Sequence, residues 1–436
     1  MSKKQSSMFT STSLMPNDHQ RLKQLYLKYL GKGRRYSYYP HLSHWNGDLT
    51  GAQQFEEGEI DLYIHIPFCR KLCTFCGCNV KVTNSPGEAL PYVEALGREW
   101  ELVQEKFGHP SIRNLYLGGG TPTFLEPLQL EKLINSVFRK AKRSPDFRGH
   151  LESDPRIKQT ESLKILAGAG FTNISIGVQD FNSDVLINVN REQSRFQVAE
   201  LISSAREIGF ENINCDMLYG LPFQNPEKMA NSFSQLIKMS PDTVAFYPLA
   251  HVPWQKGHQE AYGEFKLPSD EEKLELFLTG HKILEEDSYH YQGMGHYFKN
   301  GSQLHIAAQN KNLGRHISGF FDTKASKMIG LGVSSLSNWG NALTQNQPII
   351  SKYFRSLEMR EIPWINGHLK TQRERELETE FERLSCGQKA QLELPGKWHR
   401  EGFISSEADG SIITPLGRHF LRPIFETLDP LLNRPN

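Results

Sequence analysis

Fifty Lys and Arg residues balance forty-nine Asp and Glu over 436 residues, so no bulk field would draw the chain to nucleic acid or to an anionic membrane. An apolar share of 38% is enough to bury cores for two or three domains. No segment reaches the roughly twenty apolar residues of a membrane span, and the polar start MSKKQSSMFTSTSLMPNDHQ lacks a signal-peptide core, so a cytoplasmic protein without membrane or nucleic-acid partners is expected.

Residues 1–20 read as disordered and 21–58 as an N-terminal segment. From there, short β-branched runs alternate with helical periods. Strands are expected at 62–67, 112–119, 149–153, 173–178, 212–219 and 243–249, and helices at 88–107, 127–142, 158–169, 195–208 and 227–238. Such alternation predicts a parallel sheet with right-handed crossovers, and six units are too few for a closed eight-unit barrel. The domain is expected over 59–345 as an α/β partial (βα)6 barrel or a doubly wound sheet. Residues 346–436 hold the charged helix TQRERELETEFERL and then a helix, hairpin and helix resembling a winged-helix module. No basic stripe marks that module for DNA, so a lid or packing unit is expected.

In either architecture, ligands gather at the C-terminal ends of the parallel strands. Glu152, Gln179, Asp180 and Asp216 all fall at that edge. Singly, each is an ordinary helix cap or loop hydrogen bond; together they suggest a site.

Directly after the first strand comes YIHIPFCRKLCTFCGCN, with Cys69, Cys73 and Cys76 spaced as CxxxCxxC and Cys78 two positions on. A reducing compartment disfavours a disulfide, and structural zinc usually takes two separated short pairs, whereas no second pair is present. Three thiolates at this spacing suit three irons of a four-iron, four-sulfur cluster, leaving the fourth iron open to a substrate; on spacing alone, Cys78 remains an alternative fourth ligand. Phe68 and Phe75 would exclude water there, while Cys215 and Cys386 are solitary and suit buried apolar positions.

CxxxCxxC with an aromatic before its last cysteine resembles the signature of the radical S-adenosylmethionine superfamily. RRYSYYP, YIHIPFC, CTFCGCN, LGGGTPTFL, ESDPR, SIGVQDFN, VNREQ, AREIGF, DMLYGLP, AHVP, HYF, GLGVSSLS and TPLGRHFLRPIFETLD together resemble one family within it, the oxygen-independent coproporphyrinogen III oxidases.

The resemblance implies a partial (βα)6 barrel. Cys69, Cys73 and Cys76 would bind the cluster, and Cys78 would not. Tyr63, Gly119, Glu152 and Leu336 would meet a first S-adenosylmethionine. Phe75, Gly120, Thr121, Gln179, Arg191, Asp216 and Ala250 would meet a second. The implied chemistry is one-electron cleavage of S-adenosylmethionine to a 5′-deoxyadenosyl radical that takes hydrogen from the β-carbon of a propionate. Loss of carbon dioxide and one electron leaves a vinyl group, and a second propionate follows, giving protoporphyrinogen IX. An electron donor such as flavodoxin or ferredoxin is implied, and nothing demands more than a monomer. A heme chaperone or a heme-modifying radical methyltransferase on the same scaffold is the alternative.

Arg34, Arg35 and Tyr36 in GKGRRYSYYP are candidates to grip substrate carboxylates, against the plainer reading of a capping segment. Three stretches depart from the family's pattern. DFRGHLESDPR has a short, less apolar lead-in, AFYPLAHVP differs before its alanine, and GMGHYF has Gly295 where an acidic residue is expected before the histidine.

Overall fold

The computed structural model describes residues 16–29, 38–52, 58–262, 267–407 and 410–433. One twelve-stranded sheet organises most of the chain. In chain order its strands are β1 (Glu59–Ile66), β2 (Ser111–Gly119), β3 (Lys142–Ser153), β4 (Phe171–Gln179), β5 (Asn212–Tyr219), β6 (Thr243–Pro248), β7 (Tyr289–Gly293), β8 (His296–Lys299), β9 (Lys327–Leu331), β10 (Leu336–Asn338), β11 (Ala342–Asn346) and β12 (Trp364–Leu369). Their spatial order is β12-β11-β10-β9-β1-β2-β3-β4-β5-β6-β8-β7, with β9 and β1 to β6 parallel and the outer strands antiparallel.

Each of β1 to β6 is followed by a crossover helix: Leu90–Phe107, Pro127–Phe138, Thr160–Gly168, Arg195–Ile208, Pro226–Met239 and Asp270–Glu286. These are the six expected units of a partial barrel. The sheet does not close on itself, since β12 and β7 are its edges.

Alternation along the strands sorts the side chains onto two faces. On β1, Ile60, Leu62, Ile64 and Ile66 enter the large apolar core beneath the helices, with Leu115 and Leu117 of β2. The opposite face carries Asp61, Tyr63 and His65, then Asn114 and Tyr116, then His150 and Glu152. The concave face is therefore polar, as a binding lumen requires.

Three features differ from the expectations. The helix Pro16–Tyr29 begins inside the stretch read as disordered; Leu22 and Leu25 give it a buried face against the C-terminal residues. β3 starts at Lys142 rather than 149, because its backbone pairs with β2 from Ser111↔Lys142 onward while its side chains there stay polar. The sheet also runs past residue 345, through β12 to Leu369. At the C-terminus, the helices Gln372–Ser385 and Leu421–Leu428 and the hairpin Ile404–Glu407 and Gly410–Ile413 surround a separate apolar cluster containing Phe381, Trp398 and Phe420.

Candidate functional site

The cysteine loop leaves β1 at the C-terminal edge of the sheet. Its backbone is fastened to the glycine run after β2: Gly120 N–H donates to Ile66 O at 2.8 Å, and Thr121 N–H to Phe68 O at 2.9 Å. Glycine is needed for this approach, since a Cβ on Gly120 would lie 2.8 Å from Phe68 O and 3.1 Å from Cys69 Sγ. Gly119 has φ +112°, and a Cβ there would meet the His65 ring at 2.6 Å. Thr121 is buried, with its hydroxyl 3.4 Å from Cys69 Sγ.

The loop's far side is held by residues distant in sequence. Thr74 N–H donates to Val189 O at 3.1 Å, and Asn190 Nδ2 donates to Leu72 O at 2.7 Å. Lys256 Nζ reaches Cys78 O, His258 Nε2 reaches Cys76 O, and Gln259 Nε2 reaches Phe75 O, at 3.0, 2.9 and 3.1 Å.

The three thiols have unequal surroundings. Burial pushes Cys69 up to about 11. The Cys78 thiol hydrogen-bonds to Cys76 and lowers it to about 6, and Cys78 itself is raised. Cys73 Sγ accepts from Arg156 Nη2 and Arg191 Nη1, both at 3.5 Å. Asp154 sits between those guanidinium groups, 2.6 Å from Arg156 Nη2 and 3.6 Å from Arg191 Nη2; burial would raise its carboxyl, but the arginines outweigh burial and hold it at about 2. Arg191 is 5% exposed, so it is not a surface pair.

These donors fit an anionic iron–sulfur cluster. Two guanidinium groups converge on one thiol, and Arg156 Nη1 is buried with no partner among the described residues, a donor suited to a sulfide. Among the described residues no three His, Cys, Asp or Glu side chains converge as ligands of one metal ion. A cluster asks for less convergence, since each thiolate takes its own iron.

Beside the loop, a cavity of about 580 Å³ occupies the concave face. Phe75, Cys76, Glu152, Gln179, Asp216 and Ala250 line it. Glu152 accepts from Gly119 N–H at 2.8 Å and from the Tyr116 hydroxyl at 3.2 Å, and burial raises its carboxyl to about 7. A Cβ on Gly118 would lie 2.9 Å from that carboxyl carbon, so the glycine makes its room. Asp216 accepts from Ser175 Oγ at 3.1 Å and Asn214 Nδ2 at 2.7 Å, and burial raises it to about 6. Gln179 turns into the cavity from φ 69°, an uncommon backbone state for a side-chain-bearing residue. Tyr63 stands on β1 with its hydroxyl 3.1 Å from His65 Nδ1; His65 donates through Nε2 to Asn79 O at 2.9 Å, so Nδ1 accepts from the tyrosine.

Leu336 lies apart, on β10 beside a second cavity that also contains Tyr38 and Met328. Arg34, Arg35 and Tyr36 lie outside the described residues. Sequence reasoning missed Tyr116, His150, Tyr247 and His296 in the cavity wall, although strand alternation from Glu152 would have found His150.

The profile of the radical SAM superfamily matches residues 63–236, which span β1 through most of the helix after β5. Oxygen-independent coproporphyrinogen III oxidase of Escherichia coli (strain K12) is 34% identical over 337 residues, 76% of this chain and 74% of that protein. The protein of that name from Paracoccus denitrificans is 31% identical over 396 residues, covering 88% of this chain and 87% of its own length. Among solved structures, coproporphyrinogen III oxidase (HemN) from Escherichia coli, described as a radical SAM enzyme, superposes with a TM-score of 0.84 at 28% identity, covering 94% of this chain and 98% of that one. A cysteine loop docked on a glycine run, over a polar lumen in a six-unit partial barrel, thus accompanies the likeness along nearly the whole chain, and the chain belongs to the family of oxygen-independent coproporphyrinogen III oxidases.

Proposed function

We propose that this protein converts two propionates of coproporphyrinogen III to vinyl groups without oxygen, giving protoporphyrinogen IX. The observation that carries the reading is the cysteine loop fastened to Gly120 and Thr121 beside a cavity containing Glu152 and Asp216. Cys69, Cys73 and Cys76 would hold the cluster, with Arg156 and Arg191 offsetting its charge at Cys73. When bound, the cluster and S-adenosylmethionine supply a one-electron cleavage that yields a hydrogen-abstracting carbon radical.

The chain's own groups bind and orient. Glu152, locked by Gly119 and Tyr116, offers a carboxylate to ribose hydroxyls, together with Tyr63 and Gly119 at a first S-adenosylmethionine, while Leu336, which the family resemblance adds to that set, lies beside the second cavity. Phe75, Gly120, Thr121, Gln179, Arg191, Asp216 and Ala250 form the reading for a second. Lys256, His258 and Gln259 fix the loop carbonyls so that the thiols keep their spacing. A flavodoxin- or ferredoxin-type donor, a cytoplasmic location and a monomeric state complete the proposal.

The test is anaerobic reconstitution with iron and sulfide, addition of S-adenosylmethionine, reductant and coproporphyrinogen III, and chromatography of the tetrapyrroles. Protoporphyrinogen IX is the expected product. Unchanged coproporphyrinogen III alongside stoichiometric heme retention, or methylation of heme, would replace this reading with a heme chaperone or a methyltransferase.

A further inference from the structure

Resting on the proposed reaction, the substrate brings four propionates, each anionic near neutral pH. The reaction cavity is poorly equipped to hold them. Among the described residues lining it there is no Lys or Arg, Glu152 and Asp216 are its carboxyl groups, and burial pushes His150 down to about 3, leaving it neutral. Cations lie on the other side of one wall. Tyr247, Pro248 and Leu249 line both this cavity and a neighbouring one of about 360 Å³, between the end of β6, the helix Asp270–Glu286 and the C-terminal residues.

That neighbour has the chemistry the first lacks. Tyr26, Tyr219, Phe277 and Tyr291 give it aromatic walls, and Lys273, Arg418 and Arg422 give it positive charge. Lys273 is paired with Asp270, which also lines the cavity, at 3.2 Å. Among the described residues Arg422 forms no ion pair, and its charge reaches Tyr26, Tyr219 and Tyr291 in the wall; Arg418 also lines the cavity, but its guanidinium turns to the Gln292 carbonyl, to which Nη1 donates at 3.1 Å, and to Gly387, neither of which lines it. A guanidinium without a counter-charge at an aromatic wall is open to a carboxylate arriving in the cavity, and the water the wall excludes strengthens that pairing.

Gly295, the position where the family's pattern has an acidic residue, lines the same cavity with φ +84°. A Cβ there would lie 2.8 Å from Tyr247 Cδ1, and an acidic side chain would add negative charge to the cavity. Glycine keeps the site cationic and lets Tyr247 place its hydroxyl 2.7 Å from His296 Nε2.

We propose that this second cavity is the subsite for substrate propionates that are not reacting, held by Arg422 against its aromatic walls. The test uses the full-length reconstituted protein and its Arg422→Gln and Arg422→Glu forms, with cluster absorbance equal to wild type as the criterion of folding. Steady-state kinetics with coproporphyrinogen III are paired with fluorescence titrations of coproporphyrin III and its tetramethyl ester. Each substitution is expected to raise KM about tenfold, with the loss falling in KM rather than kcat, and to reduce the preference for free acid over ester by a similar factor. Wild-type KM and wild-type acid preference in both variants, at a position that is only partly buried, would overturn the subsite. If the wild type leaves coproporphyrinogen III untouched while coproporphyrin binding still depends on Arg422, the reaction falls and the anion subsite stands.

Discussion

Cys73 shows how little of a residue's role its spacing conveys. CxxxCxxC names it as one thiol of three, but only the fold brings Arg156 and Arg191 to its sulfur and seats Asp154 between them. Alanine at Cys69, Cys73 or Cys76 is expected to abolish cluster absorbance after reconstitution, whereas Cys78→Ala should retain it; a colourless Cys78→Ala protein would make Cys78 a ligand. Glu152→Gln keeps the shape but removes the charge that would accept ribose hydroxyls, so S-adenosylmethionine binding measured by calorimetry should weaken at least tenfold. Unchanged affinity would remove Glu152 from the cofactor site. Motif reading reached these residues because each belongs to a short run with its own chemistry. It could not reach Lys256, His258 and Gln259, which act through backbone carbonyls about 180 residues away and carry no local pattern.

Secondary structure was legible wherever burial enforced a period. β5 was expected at 212–219 and is Asn212–Tyr219, because Ile213, Cys215 and Met217 alternate into the core; β3 was misplaced at its start, because backbone pairing there needs no apolar side chains. Polar groups inside the helical layer also escape periodicity. Glu99, on the helix Leu90–Phe107, accepts from Gly332 N–H at 2.8 Å, Tyr353 Oη at 2.6 Å and Asn346 Nδ2 at 2.5 Å, which pins the turn after β9 and the next segment to that helix. Burial outweighs these donors and raises its carboxyl to about 7, from an ordinary value of 4.5. Between those values the folded chain holds a proton that the unfolded chain has released, so this group's contribution is fullest below pH 4.5 and is lost as pH rises through 7. Denaturation of the apoprotein at pH 5 and pH 8 should show a decline in stability with pH that is smaller in Glu99→Gln, which should itself be about 1–3 kcal/mol less stable at pH 5 for mismatching its donors. An equal decline in both proteins would refute the assignment.

At the scale of the whole molecule, the two ends of the chain build one unit. Leu22 and Leu25 from the helix Pro16–Tyr29 join Leu377, Phe381, Trp398, Phe403 and Phe420 in a cluster separate from the barrel core. Lys28 with Glu401 and Lys23 with Glu275 add ion pairs at its surface, which are weak beside the apolar contact. The helices and the hairpin of the tail were readable from their pattern, but their partner was not, since contacts across more than 350 residues leave no mark in local sequence. The same N-terminal helix carries Tyr26 and Tyr29 into the cationic cavity, and the Tyr26 hydroxyl lies 3.1 Å from His419 Nδ1. Docking of this helix therefore completes both the C-terminal core and one wall of the proposed propionate subsite. Leu22→Ala, which empties a fully buried position, should cost about 2–5 kcal/mol of stability and expose the hairpin at 404–413 to limited proteolysis before the barrel is cut. Coproporphyrin III affinity should fall in the same variant, in step with hairpin cleavage across added denaturant, because an undocked helix removes Tyr26 from the cavity. Faster cleavage with unchanged porphyrin affinity would show that the helix supports the C-terminal unit without shaping the subsite.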